Sequence, residues 1–177
     1  MLNNDPYSDK NTFLDDVIDG LTRVPKVLEC KYFYDSEGSK LFNKICLLDE
    51  YYLTRTENSI LNKYKNKISS YIGENAALIE YGGGSLDKTE TLIKSLKNPL
   101  SLIAIDISQS ELINSTNKIT NLYPNLIVKP MLADFTKKID LSDVIPKTTK
   151  RVVFFPGSTI GNFLPEDVTF FLKQISL

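Results

Sequence analysis

Two stretches of this sequence carry residues suited to binding a nucleoside. Residues 80–85, Glu-Tyr-Gly-Gly-Gly-Ser, follow an apolar run, and three successive glycines let the backbone approach a ligand closely. Asp106 ends the next apolar run, 22 positions after Gly84. This is close to the spacing of about 20 residues at which a carboxylate reaches the hydroxyls of a ribose. Together the glycines and Asp106 indicate a nucleoside ligand, although a tight turn and a strand-end or helix-cap Asp would use the same residue types.

Further polar residues follow the next two apolar runs. After the third, the Asp134 carboxylate could accept a hydrogen bond from an adenine amino group, and Phe135 could contact the ring. After the fourth come Gly157 and Asn162, and an asparagine amide both donates and accepts. Lys88 stands near a predicted helix start, where its charge opposes the helix dipole and favours an anionic ligand group. Each signal is weak by itself, since ordinary loops use the same residues.

The glycine-rich run lacks two common phosphate-binding motifs. The dinucleotide fingerprint needs a third spaced glycine, and position 87 is Asp. The P-loop pattern G-x-x-x-x-G-K is absent, although Lys88 is followed by Thr89. A nicotinamide oxidoreductase is therefore disfavoured.

These residues need a scaffold that brings the ends of several strands together. Four apolar runs predict strands, at 76–81, 100–107, 126–132 and 151–157. They are separated mostly by helical patterns, which predicts a parallel sheet covered on both faces. Right-handed crossovers make this a Rossmann-like α/β fold, in which ligands lie outside the carboxyl ends of the strands.

Residues before 76 are predicted to be helical. Apolar residues recur at helical spacing from Phe13 to Leu21, and residues 31–38 read as an extended piece followed by a turn. We therefore divide the chain into a helical N-terminal cap segment, 1–75, and a cofactor-binding domain, 76–177.

Two short sequences predict where helices begin. Thr54 and Glu57 form a T-x-x-E capping box, which predicts a helix from Arg55. Ser108 and Glu111 offer a second box for the helix after the second strand.

Composition narrows the classes of function. The 177 residues include 21 Lys plus Arg and 22 Asp plus Glu, so the formal net charge is −1 and no nucleic-acid partner is expected. The sequence has no His, which excludes Ser-His-Asp and Cys-His catalysis and His metal sites. Its two cysteines, Cys30 and Cys46, are expected to be small buried hydrophobes, and no metal site is predicted.

The sequence also predicts where in the cell the protein is found. No apolar run approaches the roughly 18 residues that a membrane span needs, so no membrane partner is expected. The polar, acidic first residues are unlike a signal peptide, which predicts a cytoplasmic protein.

Six motifs in order make the sequence recognisable. They are KYFYDSEGSKLFNKI, EYYLTRTE, LIEYGGGSLDKT, LIAIDIS, the Asp134–Phe135 pair and FFPGSTIGNFLPED. Together they resemble the histidine-specific S-adenosylmethionine-dependent methyltransferase family, from about residue 10 to the end. The best-known member of that family trimethylates the α-amino group of histidine in ergothioneine biosynthesis. The resemblance implies an α/β methyltransferase fold, S-adenosylmethionine as the cofactor and a small amino acid, most simply histidine, as the substrate.

The resemblance also implies roles for individual residues. In the family the cofactor is held at the positions of Tyr34, Gly82, Lys88, Asp106, Asp134, Phe135 and Gly157. Asp106 would bind the ribose hydroxyls, and Asp134 with Phe135 the adenine. Tyr51 and Asn162 fall where the family contacts the amino-acid substrate, with Asn162 facing its carboxylate. No assured general base is present; Tyr51, a bound water or solvent could accept the proton of the amine.

This sequence departs from the family in three ways. Gly83 stands where the family usually has Ser, and Leu53 where it often has Pro. Family members also extend considerably further, with more strands and an inserted substrate-binding lobe. We therefore expect an incomplete sheet whose exposed edge could favour self-association. The alternative to a methyltransferase is a cofactor-binding or interaction module without turnover.

Overall fold

Four parallel strands form one sheet in the part of the chain that the structure describes. The structure is a computed structural model, and it describes residues 10–146 and 148–176. The strands are β1 (Ala77–Tyr81), β2 (Ser101–Asp106), β3 (Ile127–Leu132) and β4 (Arg151–Phe154). Their order is β3-β2-β1-β4, so the chain winds out from β1 to β3 and then returns to the other side of β1. The four predicted strands and the parallel sheet are confirmed, with each strand shorter than its apolar run.

The two central strands are apolar on both faces because both faces are covered. Leu78 lies beside Leu102 and Ile79 beside Ile103 in the register of β1 with β2. Successive side chains point to opposite faces, which divides the core into two layers. Leu78 and Leu102 belong to one layer, and Ile79 and Ile103 to the other.

Helices on each face close these layers. The first layer packs against α4 (Asp87–Ile93) and α5 (Gln109–Leu122), which contribute Leu92, Leu112 and Ile119. The second packs against α6 (Pro165–Ile175) and the turns at 141–145. Pro165 occupies the first turn of α6, as its fixed backbone angle predicts.

The N-terminal part is helical, as predicted. It consists of α1 (Lys10–Thr22), a 3-10 helix (Cys30–Phe33), α2 (Ser36–Ile45) and α3 (Leu53–Ile72). The last turn of α3 reaches the first core layer, where Ile72 is buried. The side chains of α1 and α2 remain largely exposed instead.

The expectation of an extended piece and a turn over residues 31–38 is wrong. The Asp35 side chain accepts a hydrogen bond from the Gly38 N–H at 2.7 Å, which caps α2 immediately after the 3-10 helix. Gly38 then passes so close to the preceding chain that a Cβ there would lie 1.7 Å from the Phe33 carbonyl oxygen. Only glycine allows this packing.

Neither predicted capping box forms in the described residues. The α3 helix begins at Leu53, and the Thr54 hydroxyl donates to Cys46 Sγ at 3.5 Å instead of capping the helix. Ser108 does precede α5, but its side chain makes no capping bond. Each predicted box pairs a carboxylate with its own helix start. Glu57 has distant partners instead, which are described below.

Among the described residues, no helix combines the length and apolar character needed to span a membrane.

Candidate functional site

A cavity of about 340 Å³ lies at the carboxyl edge of the sheet, where the winding of the strands predicts a ligand site. Loops that follow all four strands contribute to its wall. The N-terminal helices supply the opposite side, which includes Tyr34, Phe42 and Thr54. Cys30 and Cys46 also line the cavity and are only half-buried, so the expectation that they are buried in a core is wrong.

The glycine turn after β1 is folded back onto the end of β2. Gly82 has a positive φ of 74°, and the N–H groups of Gly82 and Gly83 both donate to the Ile105 carbonyl, at 2.9 and 3.1 Å. A Cβ on Gly83 would lie 3.2 Å from Leu86 Cδ2 and 3.4 Å from the Ala104 Cβ, so a side chain there would crowd the turn. The turn therefore presents backbone, and little else, to the cavity.

Asp106 joins this turn to the next loop. Its Oδ2 accepts from the Gly84 N–H at 3.0 Å and its Oδ1 accepts from the Ser108 N–H at 2.7 Å. Burial raises the pKa of Asp106, and hydrogen bonds from the Ser108, Gly84 and Ile107 backbone oppose that rise. These three bonds use three of the roughly four lone-pair positions of the carboxylate, so it keeps the capacity to accept from a hydroxyl in the cavity.

Glu80 is a buried acid that sequence reasoning included in the glycine-rich run without assigning it a role. It is 3% exposed, and the hydroxyl of the fully buried Thr89 donates to its Oε2. Burial raises the pKa of Glu80 to about 8, and the hydrogen bond from Thr89 acts in the opposite direction. Glu80 is therefore mostly protonated at neutral pH. An acid inside an otherwise apolar strand was the signal that could have identified it.

Lys88 and Gly157 meet beside the cavity. A Cβ on Gly157, whose φ is +89°, would lie 3.6 Å from Lys88 Nζ. Glu57, from α3, pairs with both: its Oε1 accepts from the Gly157 N–H at 2.7 Å, and its Oε2 forms an ion pair with Lys88 Nζ. Sequence reasoning missed this use of Glu57 because it assigned the residue to a local helix cap.

Tyr34 and Asn162 lie together across the cavity. The Asn162 Nδ2 donates to the Tyr34 hydroxyl at 3.3 Å, although the residues are 128 positions apart. Tyr51 lies one layer further out, with its ring edge-on to Phe42 at 5.8 Å between centroids. Within the described structure, Tyr51 is absent from the cavity wall, whereas Phe42 lines it.

Asp134 and Phe135 occupy the end of β3. Asp134 Oδ1 accepts from the Thr136 N–H at 3.0 Å, and Lys31 Nζ lies 3.7 Å from its Oδ2. The Phe135 ring lines the cavity and also packs edge-on against Tyr81 and Phe155, at 6.0 and 5.7 Å between centroids. Aromatic packing thus holds one wall of the cavity in place.

The structure brings eight of the nine residues proposed from the sequence to one cavity. They are Tyr34, Gly82, Lys88, Asp106, Asp134, Phe135, Gly157 and Asn162. Tyr51 is the exception, and it lies behind Phe42. The functional roles of all nine remain predictions.

A parallel sheet with a glycine turn after β1 and a carboxylate at the end of β2 defines a Rossmann-like α/β protein of the nucleoside-binding type. Residues 13–177 match the family model described as histidine-specific methyltransferase, SAM-dependent. The chain therefore belongs to the histidine-specific S-adenosylmethionine-dependent methyltransferase family, which confirms the resemblance stated from the motifs.

Individual relatives agree with this assignment. The chain is 36% identical over 164 residues to the histidine N-alpha-methyltransferase of Mycolicibacterium smegmatis, a match that covers 91% of this chain and 50% of that protein. It is 31% identical over 159 residues to ergothioneine biosynthesis protein 1 of Neurospora crassa, covering 88% of this chain and 18% of that protein. A 4-dimethylallyltryptophan N-methyltransferase of Epichloe festucae var. lolii is 29% identical over 172 residues. This match covers 94% of the present chain and 50% of that protein.

Partial similarity to a solved structure is also found. That structure is a putative S-adenosyl-L-methionine-dependent methyltransferase from Methanococcus maripaludis, with a TM-score of 0.47 and 18% identity over 80% of this chain and 58% of that chain. The present chain spans about half the length of the curated histidine methyltransferases that it matches.

Proposed function

We propose that this chain forms the cofactor-binding part of an S-adenosylmethionine-dependent N-methyltransferase acting on the α-amino group of histidine or a related amino acid. The observation that carries the proposal is the pairing of Asp106 with the glycine turn at the cavity edge. Family membership supports the cofactor class. Relatives named for histidine and for a tryptophan derivative support an amino-acid substrate and leave its side chain open.

The residues present fit the cofactor. The turn at Gly82–Gly84 offers backbone to an approaching ligand, and Asp106 keeps acceptor capacity for a ribose hydroxyl. Phe135 supplies an apolar wall for a base, and Asp134 supplies an acceptor beside it. Lys88 supplies a positive charge for the carboxylate at the amino-acid end of the cofactor. When bound, the cofactor supplies a methyl group carried on a sulfonium.

The contribution of this chain is mainly positioning. Holding two reactants in near-attack geometry is worth roughly 7–11 kcal/mol of the barrier. Asn162, held by the Tyr34 hydroxyl, would orient the carboxylate of the amino acid. Burial raises the pKa of Tyr51, and nearby Cys46, Tyr34 and Glu57 raise it further. Its phenol therefore stays protonated at neutral pH, which favours solvent as the acceptor of the amine proton.

The proposal extends to the domain organisation, location and assembly of the protein. The segment 1–75 would act as a cap over the cofactor-binding domain 76–177. The protein would be cytoplasmic, where the free thiols of Cys30 and Cys46 suit a reducing compartment. Self-association through β4, which pairs with β1 alone among the described residues, would appear as a dimer in sedimentation analysis.

Calorimetry tests the proposal. S-adenosylmethionine is titrated into the chain, and histidine is then added to the same cell. We expect cofactor binding, with Asp106→Ala weakening it at least about tenfold because the ribose loses its acceptor. Asp140→Ala is the matched control, because Asp140 lies away from the cavity wall and accepts from the Ser142 N–H.

The outcomes separate the two functions considered. Cofactor binding followed by a histidine response supports a methyltransferase site that is complete in this chain or in a dimer. Cofactor binding without that response supports the module without turnover. Unchanged affinity in Asp106→Ala would contradict the site assignment, and no cofactor binding by the folded chain would contradict the proposal itself.

A further inference from the structure

Glu57 connects three parts of the molecule without lining the cavity. It lies on the second turn of α3, and its two carboxylate oxygens have different partners on the α4 helix and on the loop after β4. Of the described residues, Lys88 and Gly157 form part of the cavity wall and Glu57 does not. Any effect of Glu57 on a ligand therefore passes through its neighbours.

The Gly157 loop fixes the Glu57 side chain. The Gly157 N–H donates to Glu57 Oε1 at 2.7 Å, across 100 positions of sequence. Gly157 holds a left-handed φ of +89°, so its N–H points in a direction set by a conformation that other residues rarely adopt. A hydrogen bond from a rigid backbone donor to a carboxylate is of the strong, charge-assisted kind.

The anchored Glu57 in turn holds Lys88. Its Oε2 pairs with Lys88 Nζ, and the lysine side chain is only 18% exposed. Glu80, the other acid close to Lys88, is buried and mostly protonated at neutral pH, so it supplies little compensating charge. Glu57 is thus the carboxylate that fixes the position of the Lys88 ammonium at the cavity wall.

We propose that Glu57 is a positioning residue that holds Lys88 where it binds the anionic amino-acid end of the cofactor. This rests on the function proposed above. A lysine side chain has a flexible stem of four carbons and loses considerable rotamer freedom when a ligand fixes it. Because Glu57 already restricts Lys88, less of that freedom remains to be lost when the cofactor carboxylate binds.

The test compares two sulfonium ligands that differ only in one carboxylate. S-adenosylmethionine carries the carboxylate at its amino-acid end, and decarboxylated S-adenosylmethionine lacks it. Their affinities are measured by calorimetry for the unaltered chain, Glu57→Ala, Glu57→Gln, Lys88→Met and the Glu57→Ala/Lys88→Met double variant. Glu74→Ala is the matched control, because Glu74 forms an exposed ion pair with Lys97 that joins two loops, and neither residue lines the cavity.

We expect Glu57→Ala to weaken S-adenosylmethionine binding at least about tenfold and the binding of decarboxylated S-adenosylmethionine less than twofold. Glu57→Gln should be intermediate, because its amide oxygen still accepts from Gly157 while its charge is gone. In the Lys88→Met background, Glu57→Ala should have no further effect on either ligand, because the residue through which it acts is absent. Glu74→Ala should bind both ligands as the unaltered chain does.

Other outcomes overturn the proposal. Equal losses for both ligands would mean that Glu57 only maintains the fold, and tighter S-adenosylmethionine binding would mean that it competes with the cofactor for Lys88. Additive losses in the double variant would also contradict it. If Glu57→Ala fails to fold, Glu57→Gln with Lys88→Met gives the same comparison. An unaltered chain that binds no S-adenosylmethionine overturns the proposed function as well, whereas an unaffected Glu57→Ala overturns this inference alone.

Discussion

The central strands and the first two helices differ in what holds them. Every residue of β1 is buried, as is β2 from Leu102 onward. In α1 and α2, by contrast, Phe13, Leu14 and Leu41 are about half exposed or more. Polar contacts hold this N-terminal part instead, such as the bond from the Tyr32 hydroxyl to Asp16. The cavity therefore has one wall fixed by burial and another fixed by a small number of ion pairs and hydrogen bonds, which predicts different local stabilities for the two.

The largest expected effect is on the buried side. Leu102, on the central strand β2, is 0% exposed, and Leu102→Ala should lower the free energy of unfolding by about 2–5 kcal/mol, since it removes buried methyl groups and leaves a cavity. Urea denaturation followed by circular dichroism measures this. Leu47→Ala is the control, because Leu47 is 82% exposed, and a change above about 0.5 kcal/mol there would contradict the comparison.

A smaller effect is expected where ion pairs hold the N-terminal part. Lys31 Nζ lies 2.6 Å from Glu29, 3.0 Å from Asp16 and 3.7 Å from Asp134. Lys31→Met should cost about 1–2 kcal/mol, a value discounted for the partial exposure of its partners. Hydrogen exchange should show faster exchange of the Val27 amide, which donates to the Gly20 carbonyl, and little change in the protection of the β1 amides. Equal loss of protection in both regions would mean that they unfold as one unit.

Glu80 gives the buried side a dependence on pH. Its pKa is about 8 in the folded chain against 4.5 as the ordinary value, so the folded state binds more protons between these pH values. The contribution of Glu80 to stability should be greatest below about pH 4.5 and should fall as pH rises towards 8, by at most about 1.4 kcal/mol per pH unit. Glu80→Gln should flatten the slope, because its amide stays neutral; the raised pKa of Asp106 leaves a residual slope of the same sign. An unchanged slope in Glu80→Gln would show that Glu80 is ionised in the fold.

The smallest effect is expected for an apolar residue exposed on α1. Leu14→Ser should change the free energy of unfolding by less than about 0.5 kcal/mol, since the side chain is 55% exposed. The same urea titration measures it. A loss above 1 kcal/mol would show that α1 packs against the rest of the molecule more tightly than its exposure indicates.

The difference between the buried strands and the exposed N-terminal helices also explains which features the sequence could predict. The strands were predictable because burial on both faces demands continuous apolar runs, and the Gly82–Gly84 turn because close backbone approach demands glycine. Asp106 was placed correctly because its partner Gly84 belongs to a recurring turn with a known spacing.

The predicted capping box at Thr54 and Glu57 fails because both side chains bond to residues outside the local pattern. Thr54 and Glu57 match a local capping pattern, but Glu57 bonds to Gly157 and Thr54 to Cys46. Nothing in a local pattern indicates a partner 100 positions away. Tyr34 was selected only by family resemblance, because periodicity carries no information about its contact with Asn162 across the cavity.

The α3 helix has an evolutionary consequence that follows from its two ends. Its 20 residues span about 30 Å, with Ile72 in the core at one end and Asn58 on the cavity wall near the other. A substitution at Asn58 alters the cavity surface and leaves the packing around Ile72 untouched. New ligand preferences can therefore arise along the first turns of this helix by single changes, while the helix remains anchored by its opposite end.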